Sequence, residues 1–299
     1  MSVKKTIFTG AATALITPFK DGEVDYPALE NILEFQIAGG IDALVICGTT
    51  GEPATLDDDE HRKVLDFCIR KVDRRVPVIA GTGSNSTQYA VELTKFAESA
   101  GADAALLVTP YYNKCSQAGI VKHFCTVADS VDIPCVLYNV PSRTGFCISL
   151  ESYKELSKHP NIAAVKEASG KIELMLEVLE SCGDGLDLYV GDDHLIVPIM
   201  SMGAKGVISV FSNIMPGETS RIARLCLEGD FASAAELQLK YLRLMNAMFM
   251  QVNPIPVKTA MAKMGYCLNE FRMPLCPMSD EENEKLYSLM REHGLGRSL

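Results

Sequence analysis

The sequence predicts an α/β fold, a (β/α)8 TIM barrel with a C-terminal helical extension. Eight short apolar runs rich in Val, Ile, Leu and Ala recur along the first two-thirds. They are Ala11–Ile16, Ile41–Cys47, Val76–Ala80, Ala104–Val108, Ile133–Tyr138, Ile162–Val165, Leu186–Val190 and Gly206–Val210. Several lack period-2 alternation, as expected of strands buried on both faces. Helical patterns separate them, and eight consecutive strand–helix units without a Gly-rich nucleotide fingerprint favour a closed barrel over an open doubly wound sheet.

The helices carry their own start and stop signals. Asp57 precedes Glu60 and an apolar stripe at Val64, Leu65, Cys68 and Ile69, which reads as an N-cap with its capping box. Ser86 or Thr87 opens a helix that closes at Gly101, and Ser149 opens Leu150–Lys158 before His159-Pro160. After Ser212 the strand pattern stops, and Glu218–Leu227, Phe231–Met250 and Ile255–Met264 read as helices. Asp280–Glu284 reads as an acidic helix start. The expected division is a barrel over 1–225 carrying the active site and a helical region over 226–299.

Composition narrows the function. The 299 residues are 47% hydrophobic and 22% charged with a net charge of −10, and no basic run interrupts them. Nucleic acid and anionic membrane therefore make poor partners, because both require clustered Lys and Arg. The ten cysteines form no C-x-x-C pair and mostly sit in apolar runs, which suits reduced thiols in a cytoplasmic protein. Lys4-Lys5 before Ile7–Ile16 resembles a short signal peptide, but Thr6, Thr9, Gly10 and Thr13 break the run, and it reads as a strand. No apolar stretch of ~18 residues appears, so no membrane span is expected.

In a barrel of this kind reactive groups belong at the C-terminal ends of the strands. Those ends are dominated by hydroxyls and glycines, and no His, Asp, Glu or Cys spacing suggests a metal. Lys166 stands out because it continues the apolar run Ile162–Val165. Burial at a strand tip disfavours an ammonium and favours the neutral amine that attacks carbonyls. Alternation puts Ala164 on the same side, leaving room above a small residue; the bland reading pairs Lys166 with Glu167 or turns it to solvent. Tyr138 ends the preceding strand and can pass protons if Thr49, Thr50, Tyr111 or Tyr112 completes a relay; a packed aromatic is the bland alternative. Arg143 follows in a Pro/Gly-punctuated loop suited to a carboxylate, or to a surface ion pair. The Gly81-Thr82-Gly83 turn is a weak phosphate signal, Cys47 a weak nucleophile candidate, and the five histidines point to no site.

Three segments, Gly48-Thr49-Thr50-Gly51-Glu52, Tyr138–Gly145 and Val165-Lys166-Glu167, resemble the dihydrodipicolinate synthase family of pyruvate-dependent, N-acetylneuraminate lyase-like class I aldolases. The resemblance implies a Schiff base between pyruvate and Lys166, with no cofactor and no metal. It implies Tyr138 as proton relay, completed by Thr49 and by Tyr112 reaching across a tight dimer. Thr50 would bind the pyruvate carboxylate, Arg143 the carboxyl of the aldehyde, and Gly191 and Ile208 would contribute backbone contacts. With Arg143 present, the implied aldehyde is L-aspartate 4-semialdehyde, on the way to lysine and diaminopimelate. The alternatives are another keto-acid aldolase or lyase of the superfamily and a non-catalytic ligand-binding barrel.

The resemblance further implies a homotetramer built as a dimer of dimers, and an L-lysine effector pocket at His61, Asn85 and Tyr111. Departures there are Pro53, Asp58 and Tyr89, the last standing where a glutamate would hold the effector's α-amino group. An ammonium stripped of water without that partner binds poorly, so weak or absent lysine inhibition is expected.

Overall fold

The protein is described by a computed structural model over residues 4–296. Its barrel strands are β1 (Gly10–Ala14), β2 (Ala43–Ile46), β3 (Val78–Gly81), β4 (Ala104–Val108), β5 (Cys135–Asn139), β6 (Ile162–Glu167), β7 (Asp187–Val190) and β8 (Gly206–Ser209). They are parallel, neighbours in sequence order, and β8 pairs back onto β1 to close the ring. All eight expected runs are strands, with ends shifted by short distances. The largest gain is at β6, which continues through Lys166 and Glu167 because both still pair with β5 and β7.

The chain makes two nested cores. Alternate side chains point inward, and the inner set is small over much of its area: Ala12, Ala14, Ala43, Ala104 and Ala164 beside Val45, Ile79, Val136, Tyr138 and Ile208. The outward set packs against the surrounding helices. Phe8 stacks on Tyr189 at 4.2 Å between ring centroids, and the Tyr189 hydroxyl donates to the Phe8 carbonyl, which closes the floor. Nearby, the Lys4 ammonium donates to the carbonyls of Ser157, Ile162 and Gly185.

The helix starts follow the sequence signals. Asp57 and Glu60 form the capping box of Asp58–Val72, and Ser86 caps Thr87–Ala100, whose end is the left-handed Gly101. Ser279 and Glu282 form a second capping box on Asp280–Glu292. Several bounds differ from expectation: the helix expected from Glu218 starts at Pro216, and the one expected to end at Met264 ends at Lys263. The helix opened by Ser149 stops at Leu156, where Lys158 and His159 turn back onto carbonyls three residues earlier. The helix from Phe231 ends at Ala247, because Phe249 and Met250 bond in the same tightened way. The helix Pro216–Leu227 runs through the boundary expected at 225. No described helix is long and apolar enough to cross a membrane.

Candidate active site

Tyr138 and Lys166 are direct neighbours in the β5–β6 ladder. Both point into the barrel, and the Lys166 Nζ lies 4.5 Å from the centroid of the Tyr138 ring. Lys166 is 5% exposed, above Ala164 on the same inner face. None of the ion pairs among the described residues includes it. Its neighbour Glu167 points the other way: its carboxylate accepts from Tyr153 Oη at 2.6 Å, Asn139 Nδ2 at 2.9 Å and the Ser169 amide at 2.8 Å. The Lys166–Glu167 pair is therefore ruled out by alternation. Burial pushes the Glu167 carboxyl up, while its three kinds of donor oppose that. The network clamps the mouth ends of β5 and β6, and so fixes the two side chains between them.

The loop after β2 forms the next wall. Thr49–Gly51 is a single 3-10 turn in which Thr50 is buried and Thr49 half-buried. Cys47 and Glu52 hold the turn in place with left-handed backbones, φ 56° and 53°. Burial pushes the Cys47 thiol up, which removes it as a nucleophile. Glu52 is buried and accepts from the Lys258 Nζ at 2.6 Å. The Lys258 ammonium also sits 3.9 Å from the Phe19 ring centroid. Burial pulls the Lys258 amine down and the Glu52 charge opposes it. Asn253 Nδ2 donates to Thr50 Oγ1 at 3.0 Å, and the Asn253 carbonyl accepts from Arg143 Nη2 at 2.8 Å. Arg143 is otherwise exposed, in the short helix Pro141–Thr144 that follows β5. Gly191 and Ile208 are buried at the ends of β7 and β8. A Cβ on Gly191 would fall 2.6 Å from the Ala168 Cβ, so only glycine fits there.

Tyr112 stands apart. It is 93% exposed on a left-handed backbone with φ 69°. Among the described residues no hydrogen bond joins the hydroxyls of Thr49, Tyr138 and Tyr112, and the Tyr112 side chain stands in solvent. Tyr111 is tethered, because its carbonyl accepts from Asn85 Nδ2 at 3.2 Å. His61 is buried, with Nε2 2.9 Å from the Gly81 carbonyl, and burial lowers its pKa. Tyr89 Oη donates to Asp58 at 2.9 Å; burial, then the Asp58 carboxylate, pushes the phenol up to about 12. Arg62 takes the other Asp58 oxygen. The phosphate reading of Gly81-Thr82-Gly83 fails on contact distances. A Cβ on Gly81 would lie 2.2 Å from the Cys47 carbonyl and one on Gly83 2.2 Å from the Val108 amide, so these glycines serve strand packing.

The sequence profile described as the Dihydrodipicolinate synthetase family matches residues 7–293. The chain belongs to that family. It is 51% identical over 289 residues to the 4-hydroxy-tetrahydrodipicolinate synthase of Geobacter sulfurreducens, covering 97% of this chain and 100% of that one. The crystal structure of dihydrodipicolinate synthase from Aquifex aeolicus superposes with a TM-score of 0.96 at 47% identity, over 98% and 100% of the two chains. The chloride-inhibited enzyme from Acinetobacter baumannii, solved in complex with pyruvate, gives 0.95 at 41%, over 97% and 100%.

Three residues of this family member were missed in the sequence. Asn253, Lys258 and Tyr153 meet Thr50, Glu52 and Glu167 only through the fold. Lys258 did carry a signal, since a lone charge in the apolar pattern Ile255-Pro256-Val257-Lys258 needs a buried partner. Asn253 before Pro254 looks like an ordinary turn. Among the described residues no three His, Cys, Asp or Glu side chains gather as metal ligands, and all ten cysteines are free thiols.

Proposed function

We propose that the chain condenses pyruvate with L-aspartate 4-semialdehyde to 4-hydroxy-tetrahydrodipicolinate through an imine on Lys166. The observation that carries this is the pairing of Lys166 and Tyr138, side by side inside a barrel mouth, the amine in no ion pair among the described residues and near Asp192 only beyond ion-pair distance. The amine attacks the keto carbon of pyruvate, and the carbinolamine loses water while Tyr138 moves the protons. Loss of a methyl proton gives an enamine, which adds to the aldehyde carbon. The amino group of the new adduct then displaces Lys166 as the ring closes. Thr49 and Tyr112 complete the relay, Thr50 and the backbone at Gly191 and Ile208 seat pyruvate, and Arg143 takes the aldehyde's carboxylate. Residues 1–225 supply these groups, and 226–299 brace them through Asn253 and Lys258.

A tight dimer, paired into a homotetramer, would bring Tyr112 of one copy into the other's mouth. What supports this is a bulky residue in left-handed backbone, a conformation that costs ~1–2 kcal/mol, held out in solvent. The His61, Asn85 and Tyr111 pocket would respond weakly or not at all to L-lysine, because Asp58 is already engaged by Tyr89 and Arg62. Half-inhibition at submillimolar lysine would refute that. The site of action is the cytoplasm, where both substrates are metabolites.

The decisive experiment is borohydride reduction in the presence of pyruvate, followed by intact mass and peptide mapping. One reduced pyruvyl group on Lys166 is expected. Its absence, or its arrival on another lysine, would overturn the mechanism.

A further inference from the structure

We propose that Asn253 Oδ1 receives the α-ammonium group of the aldehyde substrate, making Asn253 the residue that selects an amino-acid aldehyde over an amine-free one. The inference rests on the condensation reading above. Asn253 is 7% exposed, and every polar atom of its side chain and carbonyl is accounted for except one. Nδ2 donates to Thr50 Oγ1, the main-chain carbonyl accepts from Arg143, and Oδ1 is buried without a partner among the described residues. A buried amide oxygen left without a donor is costly, and native proteins keep such atoms where something else donates.

The substrates offer few donors. Pyruvate has a keto oxygen, a carboxylate and a methyl group, all unable to donate a conventional hydrogen bond. The semialdehyde's carboxylate and aldehyde oxygens also only accept, so its α-ammonium is the one donor group. That ammonium and the α-carboxylate share a carbon atom, so the group that binds one must adjoin the group that binds the other. Asn253 meets this requirement, because its own carbonyl holds one arm of Arg143. A neutral amide also suits the place better than a carboxylate. Aspartate here would draw the Arg143 guanidinium into a closed pair, whereas the amide leaves it open to a ligand anion. The position is fixed from both sides: Thr50 holds the amide nitrogen, and Lys258 locks the helix Ile255–Lys263 to Glu52 in the same loop.

The test compares two aldehydes of equal length with the same carboxylate. KM is measured for L-aspartate 4-semialdehyde, and Ki for succinate semialdehyde, which lacks the ammonium, as a competitor. Asn253→Leu should raise the ratio KM/Ki roughly tenfold or more, the scale of a hydrogen bond to a charged group. Asn253→Asp, which keeps an oxygen in place and adds charge, should lower the ratio. A role limited to bracing Thr50 and Arg143 would shift both constants by one factor, and an unchanged ratio in folded Asn253→Leu overturns the proposal. Should that variant fail to fold, Asn253→Asp decides alone: a lowered ratio upholds the assignment, and an unchanged or raised ratio refutes it. Failure of the condensation reading looks different, since the unaltered enzyme would then form no product from either aldehyde.

Discussion

Lys166 and Lys258 are both buried, yet they lie in regions built on opposite principles. Lys258 sits in the seam between the β2 loop and the C-terminal helices, where its buried charge is answered: Glu52 meets its ammonium at 2.6 Å. Arg272 there holds Glu60 with both arms while donating to the carbonyls of Gly22 and Thr55. Lys166 sits in the mouth of the barrel, where polar groups are left open: an amine beside a phenol ring, an exposed tyrosine, an arginine with one arm tied. A closed seam spends its polar groups on holding the fold, and an open mouth reserves them for a ligand.

The difference is sharpest for Lys166→Ala. This change should abolish the pyruvate adduct and reduce condensation to background while leaving the unfolding midpoint within a few degrees, as read by trapping and by thermal melts. A large loss of stability would mean that the mouth is as closed as the seam. Lys258→Ala should do the reverse and cost about 3–5 kcal/mol of stability, because Glu52 is left charged and buried without a partner. Replacing both members by apolar residues, Glu52→Leu with Lys258→Met, should recover much of that in chemical denaturation. If the double replacement is no better than the single one, the pair is not the source of the loss.

Smaller effects refine the mouth. Tyr112→Phe should lower kcat by about 10²-fold, the scale of a positioned proton transfer, without moving the melting midpoint. A verified monomer with full activity would remove the need for a second copy. Arg143→Ala should raise KM for the aldehyde by roughly 10–150-fold, the worth of a charge-assisted contact, and leave the trapping of pyruvate intact. Equal losses for both substrates would make Arg143 part of the bracing instead.

The same contrast explains what could be read in the sequence. The barrel was legible because strands buried on both faces leave unbroken apolar runs, and because Asp57, Ser86 and Gly101 mark helix ends locally. Lys166 and Tyr138 were legible as polar residues closing such runs. The network behind them was not, since Glu167 meets Tyr153 and Asn139 across different elements. The seam was the least legible part. Its two joining contacts, Thr50 to Asn253 and Glu52 to Lys258, span 203 and 206 residues of chain, and nothing local in either segment names the other.

Those two long spans also set an order in time. A chain leaving the ribosome can close its barrel once β8, ending at Ser209, has emerged to pair with β1. At that moment the loop carrying Thr49 and Thr50 still lacks its braces, because Asn253 and Lys258 have not been made. At ~5–20 residues per second the nascent barrel waits seconds before they arrive. On the proposed mechanism the nucleophilic Lys166 is thus present in a closed barrel before the loop proposed to seat pyruvate is fastened. Synthesis interrupted between Ser209 and Asn253 would leave the Thr49–Gly51 turn without the contacts of Asn253 and Lys258.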